Sequence, residues 1–227
     1  MYDVERITIE VVSAVACFIL VRFMIKPFRL TGETRYLGLP LGFGILGISY
    51  AFSALSYSPL FDFNNRGWVQ LFVRAFAFLF LAVTYYFSKS EKKPKLLWNV
   101  TLGLLVAILL ALILLATVFS QFVWPNYGLT QIYVRVFSLM CVSYISIRAL
   151  KSHMGQSDPA TLLIPLGYVL LGIGQYSILI WAVDASIFAF FGGLTLRLAG
   201  LAVFLFVSYR TFYSSERGIN EENSSSR

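Results

Sequence analysis

The chain has 227 residues, of which 58% are hydrophobic and 13% are charged, and its mean hydropathy is +0.76. Soluble proteins average roughly 45–50% apolar and about 25% charged residues, so this composition excludes a soluble globular domain and predicts a multi-span membrane protein. The formal net charge of +7 does not indicate nucleic-acid binding, because the basic residues are distributed as membrane topology requires.

Seven segments are long and apolar enough to cross a bilayer, since a spanning helix needs about 20 mostly apolar residues. They cover residues 7–25, 37–56, 67–87, 97–120, 129–149, 161–183 and 187–212. The segments between them are short, so the sequence predicts an all-α, polytopic membrane protein that forms one compact bundle. The polar tail at residues 214–227 is predicted to be disordered.

Basic residues predict the orientation of the spans. Lys and Arg cluster after the first, third, fifth and seventh spans, whereas the opposite side of the membrane carries only Arg6 and Arg66. The positive-inside rule therefore places the N-terminus outside and the C-terminus in the cytoplasm of a multi-pass cell-membrane protein. Tryptophans near the span ends are typical of the aromatic belt and support these boundaries: Trp68, Trp98, Trp124 and Trp181.

The residue types that enzymes and cofactor sites need are scarce. The single histidine, His153, falls in a predicted loop, so neither a zinc site nor a bis-histidine haem site is expected. No lysine lies within a span, which excludes a retinal Schiff base. Cys17 and Cys141 lie in apolar segments and are predicted to be buried free thiols. We therefore predict no enzymatic activity and no cofactor or metal.

A twelve-residue stretch occurs twice in the chain. Between residues 39–50 and 164–175, Pro falls on Pro and two Gly fall on Gly. Charged residues at equal or nearly equal spacing flank both copies: Lys26 and Lys151, Asp62 and Asp184, and Arg74 and Arg197. Because internal repetition indicates a repeated structural unit, we interpret the chain as a three-helix unit used twice in the same orientation.

This repeat divides the chain into two triple-helix bundles and a linker. The bundles would cover residues 1–95 and 127–213, and residues 96–126 would contain a linker helix. Two units with an odd number of helices can share one orientation only if an additional span separates them. The fourth span fits this role, because it is uncharged and apolar on every face, as a lipid-exposed or deeply buried helix is.

Four charged residues lie in the outer half or near the middle of the predicted spans, where an ionisable side chain is costly and needs a partner. Glu10 lies in the first span, Arg74 in the third, Arg135 in the fifth and Arg197 in the seventh. Glu10 and Arg135 occupy equivalent places in the two repeats, 125 residues apart, and we predict an ion pair between them. Arg74 and Arg197 are predicted to face each other across the pseudo-twofold axis.

Two interpretations of these arginines are open. In the structural one, they pair with Glu10, Asp62 and Asp184 and fix the register of the helices. In the functional one, Arg74 and Arg197 line an outward-opening cavity that attracts an anion, and Arg197 is the leading residue because it is the deepest. The candidate ligand-binding residues are Arg197, Arg74, Arg135, Glu10, Gln175 and Tyr50, with Gln131, Tyr133 and Tyr176 as additional polar groups.

Short stretches at residues 31–33 (Thr-Gly-Glu), 39–40 (Leu-Pro) and 164–165 (Ile-Pro) precede or open the second and sixth spans. They are similar to the corresponding places in the SWEET and PQ-loop transporters, which the plan of three, one and three helices also resembles. This resemblance implies a carrier whose site lies between two repeats. The Pro-Gln pair of the family is absent here, and Arg74 and Arg197 stand where the family has pocket asparagines. That difference implies an anionic solute instead of a neutral sugar.

The leading hypothesis is therefore an integral membrane carrier or binding protein for a small solute, with an anion favoured. Its site would lie between the two repeats, in the outer half of the bilayer. The alternatives are a non-catalytic subunit of a larger membrane complex and a seven-helix sensor that signals to a separate cytoplasmic partner. The expected partners are the lipid bilayer, a small molecule and a second copy or another membrane subunit, but not nucleic acid.

Overall fold

The computed structural model describes residues 3–56, 65–88, 95–118, 126–154 and 162–225 of the chain. Within these ranges the backbone is helical and contains no β-strand. The helices are α1 (Asp3–Met24), α2 (Lys26–Thr31), α3 (Gly38–Ser56), α4 (Arg66–Ser88), α5 (Lys95–Val118), α6 (Tyr127–His153), α7 (Leu163–Asp184) and α8 (Ile187–Ser225). Asp62, Trp124 and the side chain of His153, which the sequence analysis singles out, lie outside the described residues.

The prediction of seven spans is confirmed. Seven helical segments are long and apolar enough to cross a membrane, and each coincides with one predicted span. The first of them combines α1 with the short α2, in which Pro27 occupies one of the first positions, where the missing N–H costs no helical hydrogen bond. Gly32, with φ of 68°, ends α2 in the left-handed conformation that glycine adopts without strain.

Six of the helices follow one another around a ring. Contacts join α1 to α3, α3 to α4, α4 to α6, α6 to α7, α7 to α8, and α8 back to α1. The remaining long helix, α5, packs against the outside of α4, and most of its surface is exposed because its Leu and Ile side chains surround the helix on all sides. Exposed apolar side chains of this kind are suited to contact with lipid.

Local signals in the sequence explain where two of these helices begin. The side chain of Asn126 accepts hydrogen bonds from the backbone N–H groups of Gly128 and Leu129, and so caps the first turn of α6. Between α7 and α8 only Ala185 and Ser186 intervene, with Ala185 in the left-handed conformation. A turn this short makes α7 and α8 antiparallel neighbours.

Glycine residues allow α7 and α8 to approach very closely. A Cβ atom on Gly174 would lie 3.0 Å from the carbonyl oxygen of Gly193, and one on Gly200 would lie 2.9 Å from the carbonyl oxygen of Gly167. In both helices the two glycines are seven residues apart and so lie on one face. Small residues drive this type of packing in lipid, and it holds the intervening Arg197 against α7.

A layer of aromatic side chains fills one half of the ring. Phe43, Tyr168 and Phe204 are buried, and the ring centroid of Phe204 lies 5.5 Å from that of Phe43 and 4.6 Å from that of Tyr168. Edge-to-face aromatic pairs of this kind add to the stability gained from burial. Cys17 and Cys141 are buried and free, as predicted.

The last helix is longer than the predicted seventh span. Its backbone is helical as far as Ser225, and this differs from the disordered tail predicted for residues 214–227. No proline follows Ile187, and extending an existing helix costs much less than starting one, so the helix of the span can continue into this polar segment. The side chains beyond Thr211 lie outside the described residues.

Candidate functional site

Glu10 is shared by two arginines from different helices. Its Oε1 atom accepts a hydrogen bond from Arg74 Nη2 at 3.0 Å, and its Oε2 atom lies 3.1 Å from Arg197 Nη2. Helices α1, α4 and α8 therefore each contribute one charged group to the same cluster. The sequence predicts that Arg74 and Arg197 face each other. In the structure the carboxylate of Glu10 lies between them and contacts both.

The predicted ion pair between Glu10 and Arg135 is wrong. Helix α6, which carries Arg135, packs against α4 and α7, whereas α1, which carries Glu10, packs against α3 and α8. Glu10 instead pairs with arginines on α4 and α8.

Arg197 is completely buried, and its guanidinium group lacks well-aligned hydrogen bonds among the described residues. Its side chain has no solvent exposure, because the backbone of α8 lies directly against Gly174 of α7. Although Nη2 is at ion-pair distance from Glu10, none of the three guanidinium nitrogens makes an aligned hydrogen bond within the part of the chain that is described. The guanidinium carbon lies 4.2 Å from the centre of the Tyr50 ring, a cation–π contact that replaces part of the lost hydration.

Arg74 connects this buried cluster to a more open region. Besides contacting Glu10, its Nε atom donates a hydrogen bond to Ser49 Oγ at 3.1 Å. Its guanidinium carbon lies 5.3 Å from the centre of the Tyr50 ring, so the two arginines lie against the same aromatic side chain. Unlike Arg197, Arg74 keeps 20% of its side chain exposed.

Arg135 has no carboxylate partner among the described residues. When the Gln131 amide is oriented with its oxygen toward the guanidinium, that oxygen accepts hydrogen bonds from Arg135 Nε at 3.0 Å and Nη2 at 2.7 Å. The ring of Trp181 lies 5.9 Å from the guanidinium carbon. These neutral groups hold the side chain in place and leave its positive charge uncompensated.

Arg74 and Arg135 line a small cavity between α4, α6 and α7. Its volume is about 40 Å³. Since a water molecule needs roughly 10–15 Å³, the cavity has room for about three waters, or for an anion of about three or four heavy atoms. The other lining residues are Gly67, Gln70, Leu71, Tyr127, Ser138 and Gln175. This lining contains two guanidinium groups and no carboxylate.

In the described part of the chain, the arginines inside the spans are not neutralised by three nearby acids as predicted. Asp184 is exposed at the end of α7 and makes no ion pair with any described residue, and Asp62 lies outside the described residues. Within the described ranges, Arg74 and Arg197 share the carboxylate of Glu10, and Arg135 has no carboxylate partner. The excess of positive charge lies on the side of Arg135 and the cavity.

The structure brings together all six candidate residues in two groups. Glu10, Arg197 and Tyr50 form the buried cluster, and Gln175 and Arg135 line the cavity. Arg74 belongs to both. Tyr133 and Tyr176 are exposed and belong to neither group.

Sequence reasoning missed Ser49, Gln70 and Tyr127. Gln70 precedes Arg74 by four residues, a spacing that places both on one face of a helix, so this signal was available. Tyr127 lies at the first turn of α6, where an aromatic residue is most simply explained by the membrane interface. Among the described residues no group of three His, Cys, Asp or Glu could hold a metal ion.

No family model, no curated protein and no solved structure matches this chain. The fold and the site alone therefore define the class of protein to which this chain belongs. It is an all-helical chain with seven helices suited to a membrane, and it encloses a buried cluster in which arginines outnumber carboxylates.

Proposed function

We propose that this protein is an integral membrane carrier or binding protein for a small anionic solute, which binds in the cavity between Arg74 and Arg135. The observation that carries the proposal is the lining of this cavity, with two guanidinium groups and no carboxylate among the described residues. Arginines presented in a region of low dielectric attract anions strongly, because little water competes for them. Gln70, Gln175 and Tyr127 add neutral polar groups that can orient the ligand.

We further infer that α1, α3 and α4 form one three-helix unit and that α6, α7 and α8 form a second, parallel copy. Equivalent contacts support this inference. Ser13 donates a hydrogen bond to the carbonyl oxygen of Ile9, and Ser138 donates one to that of Val134. Both members of the second pair lie 125 positions after those of the first, the offset of the twelve-residue repeat.

Glycine contacts support the same offset. A Cβ atom on Gly47 would lie 3.0 Å from Cys17, and one on Gly172 would lie 3.4 Å from Val142. Again both members are shifted by 125 positions. The order of the ring agrees as well, because the third helix of each unit contacts the first helix of the other. The unit boundaries at residues 1–95, 96–126 and 127–213 follow from this interpretation.

A carrier is favoured by the position of the cavity. It lies where α4 of the first unit meets α6 and α7 of the second, and carriers with repeated units bind substrate at such interfaces. The resemblance to SWEET and PQ-loop transporters belongs to this proposal, with an anion in place of a sugar.

We expect the cavity to face the outer half of the bilayer. Glu10, Arg74, Arg135 and Arg197 all lie in the first half of their helices, which the positive-inside rule assigns to the outside. In a variant without Cys17 and Cys141, Arg66→Cys should react with a membrane-impermeant maleimide on intact cells. Lys95→Cys should react only after permeabilisation. Both positions are exposed, so reversed labelling would overturn the orientation.

Thermal unfolding of the purified protein with small anions tests the binding site. A ligand at 100 times its Kd stabilises by about 2.7 kcal/mol, and we expect this for one class among chloride, nitrate, phosphate, sulfate and acetate, but not for glucose or alanine. Arg135→Gln should weaken binding about 10- to 100-fold, the value of a charged hydrogen bond. Arg148→Gln, on the same helix but bonded to Tyr144, is the matched control and should bind normally.

The opposite result would favour a different function. If no anion stabilises a well-folded sample, or if Arg148→Gln weakens binding as much as Arg135→Gln does, the cavity is not the site. A subunit of a larger membrane complex is then the second candidate. One observation supports it, namely that α5 packs mainly against α4 and leaves most of its apolar surface exposed to another helix.

A further inference from the structure

A second space adjoins the cavity along α4, and Gln70 lines both. It is a groove of about 340 Å³ between α3, α4 and α5. Its apolar lining consists of Ile48, Phe52, Val69, Val73 and Ile113. A volume of this size is within the range of small-molecule sites, which are mostly apolar with a few polar groups at one place.

Hydrogen bonds at the two ends of α5 attach it to the segments that precede α3 and α4. Trp98 Nε1 donates to the carbonyl oxygen of Thr34 at 3.1 Å, and Asn65 Nδ2 donates to the carbonyl oxygen of Ala116 at 2.9 Å. These bonds fix α5 at a set distance from α3 and α4. Between them, the side chains of α4 and α5 leave the groove unfilled on the side of Ile113.

Two polar residues connect the groove to the arginine cavity. Gln70 lines both spaces, and its amide is held by a 2.7 Å hydrogen bond from Nε2 to Ser56 Oγ. Ser49 lines the groove and accepts the hydrogen bond from Arg74 Nε. Residues 69–74 of α4 thus border an apolar space and a cationic one within about 8 Å along the helix axis.

We propose that the two spaces together form one site for an anionic amphiphile, a carboxylate with a hydrocarbon chain. Its head would lie between Arg74 and Arg135, and its chain would pass Gln70 into the groove. This inference rests on the proposed function, since it uses the same cavity for the charged group. It adds a place for the hydrocarbon chain of the ligand, which a site for a small anion would not need.

Charge and polarity select this class of ligand. A small inorganic anion would leave the 340 Å³ groove unused, and an uncharged hydrocarbon would leave Arg135 without a negatively charged partner among the described residues. The head has to be small, because the cavity of about 40 Å³ accommodates a carboxylate but not a sugar phosphate.

The test is a chain-length series measured by isothermal titration calorimetry on the full chain in nanodiscs. Sodium acetate, butyrate, hexanoate and octanoate are the ligands, 1-octanol is the uncharged control, and empty nanodiscs give the blank. Each methylene that enters the groove should lower Kd roughly fourfold, until the chain is longer than the groove. Octanoate should therefore bind far more tightly than acetate, and 1-octanol should bind no more tightly than in the blank.

A pair of variants on α5 locates the chain. Ile113→Phe fills the groove and should return the affinity for octanoate toward that for acetate, with the affinity for acetate unchanged. Leu110→Phe adds the same ring at an exposed position outside the groove and should leave the whole series unaltered. The wild-type series decides the matter if Ile113→Phe fails to fold.

The outcomes separate this inference from the proposed function. If acetate binds but longer chains bind no more tightly, the groove is not part of the site and only the anion proposal stands. If 1-octanol binds as tightly as octanoate, the chain enters the groove without help from the arginines, and the combined site is wrong. If no carboxylate binds and other small anions do, the amphiphile is wrong. If no anion of any kind binds, both proposals fail.

Discussion

Replacing Glu10 by Gln should destabilise the protein by about 3–5 kcal/mol, the usual cost of leaving one member of a buried ion pair unpaired. Glu10 is the only carboxylate within ion-pair distance of Arg197 in the described residues, and Arg197 is fully buried. The neutral amide keeps the shape of the side chain but removes the charge that two arginines share. Reversible unfolding in mixed detergent micelles would measure the change in free energy.

A second substitution shows whether the unpaired charge is the cause. In the double variant Glu10→Gln with Arg197→Met, the buried charge is gone and the stability should partly return. By contrast, Arg197→Met alone should be milder than Glu10→Gln, because Glu10 then retains Arg74 as its partner. If the double variant is less stable than Glu10→Gln alone, the two residues are not coupled as the geometry requires.

Replacing Gly193 by Ala should destabilise the protein by about 1–3 kcal/mol, the range for forcing an extra methyl group into a packed interface. The new Cβ atom would lie 2.7 Å from Ile178 Cγ1 and 2.9 Å from the carbonyl oxygen of Gly174. A backbone oxygen cannot move aside cheaply, so α7 and α8 would have to separate. The same unfolding measurement applies.

The neighbouring residue provides the matched control for this prediction. A Cβ atom on Gly192 would meet nothing within 4 Å among the described residues. Gly192→Ala should therefore leave stability unchanged or raise it by up to about 1 kcal/mol through the better helix propensity of alanine. Equal losses in the two variants would mean that the close approach of α7 and α8 does not govern stability. The burial of Arg197 would then need another cause.

The predictions for Glu10 and Gly193 both depend on how α7 and α8 bury Arg197. Close packing of α7 on α8 removes Arg197 from solvent, and Glu10 then has to compensate its charge. Arg74 and Arg135 remain nearer to open space, which is why they, and not Arg197, are the residues on which the anion proposal depends. From the sequence, its depth makes Arg197 the leading candidate for ligand binding. In the folded chain Arg197 is so deep that other side chains and helix backbones surround it, and it does not line the cavity.

The seven helices could be predicted from the sequence because membrane insertion is decided locally. A run of about 20 apolar residues must form its hydrogen bonds within itself, whatever its neighbours are. For the same reason the charges at positions 10, 74, 135 and 197 could be recognised as interior residues, since lipid offers them no partner. Composition and the pattern of apolar residues are therefore enough to predict the spans and the interior charges, even when the packing of the helices is not known.

Only the tertiary structure decided which of those charges meet. The partner of Glu10 depends on which helices are neighbours and how each is rotated, and both follow from contacts between residues far apart in sequence. The cavity at Arg135 and the groove at Ile113 likewise exist because three helices meet imperfectly, a property that no single segment encodes. The sequence determined the helices and the need for buried pairs, whereas the packing of α4 against α6 and of α8 against α1 determined the pairs themselves.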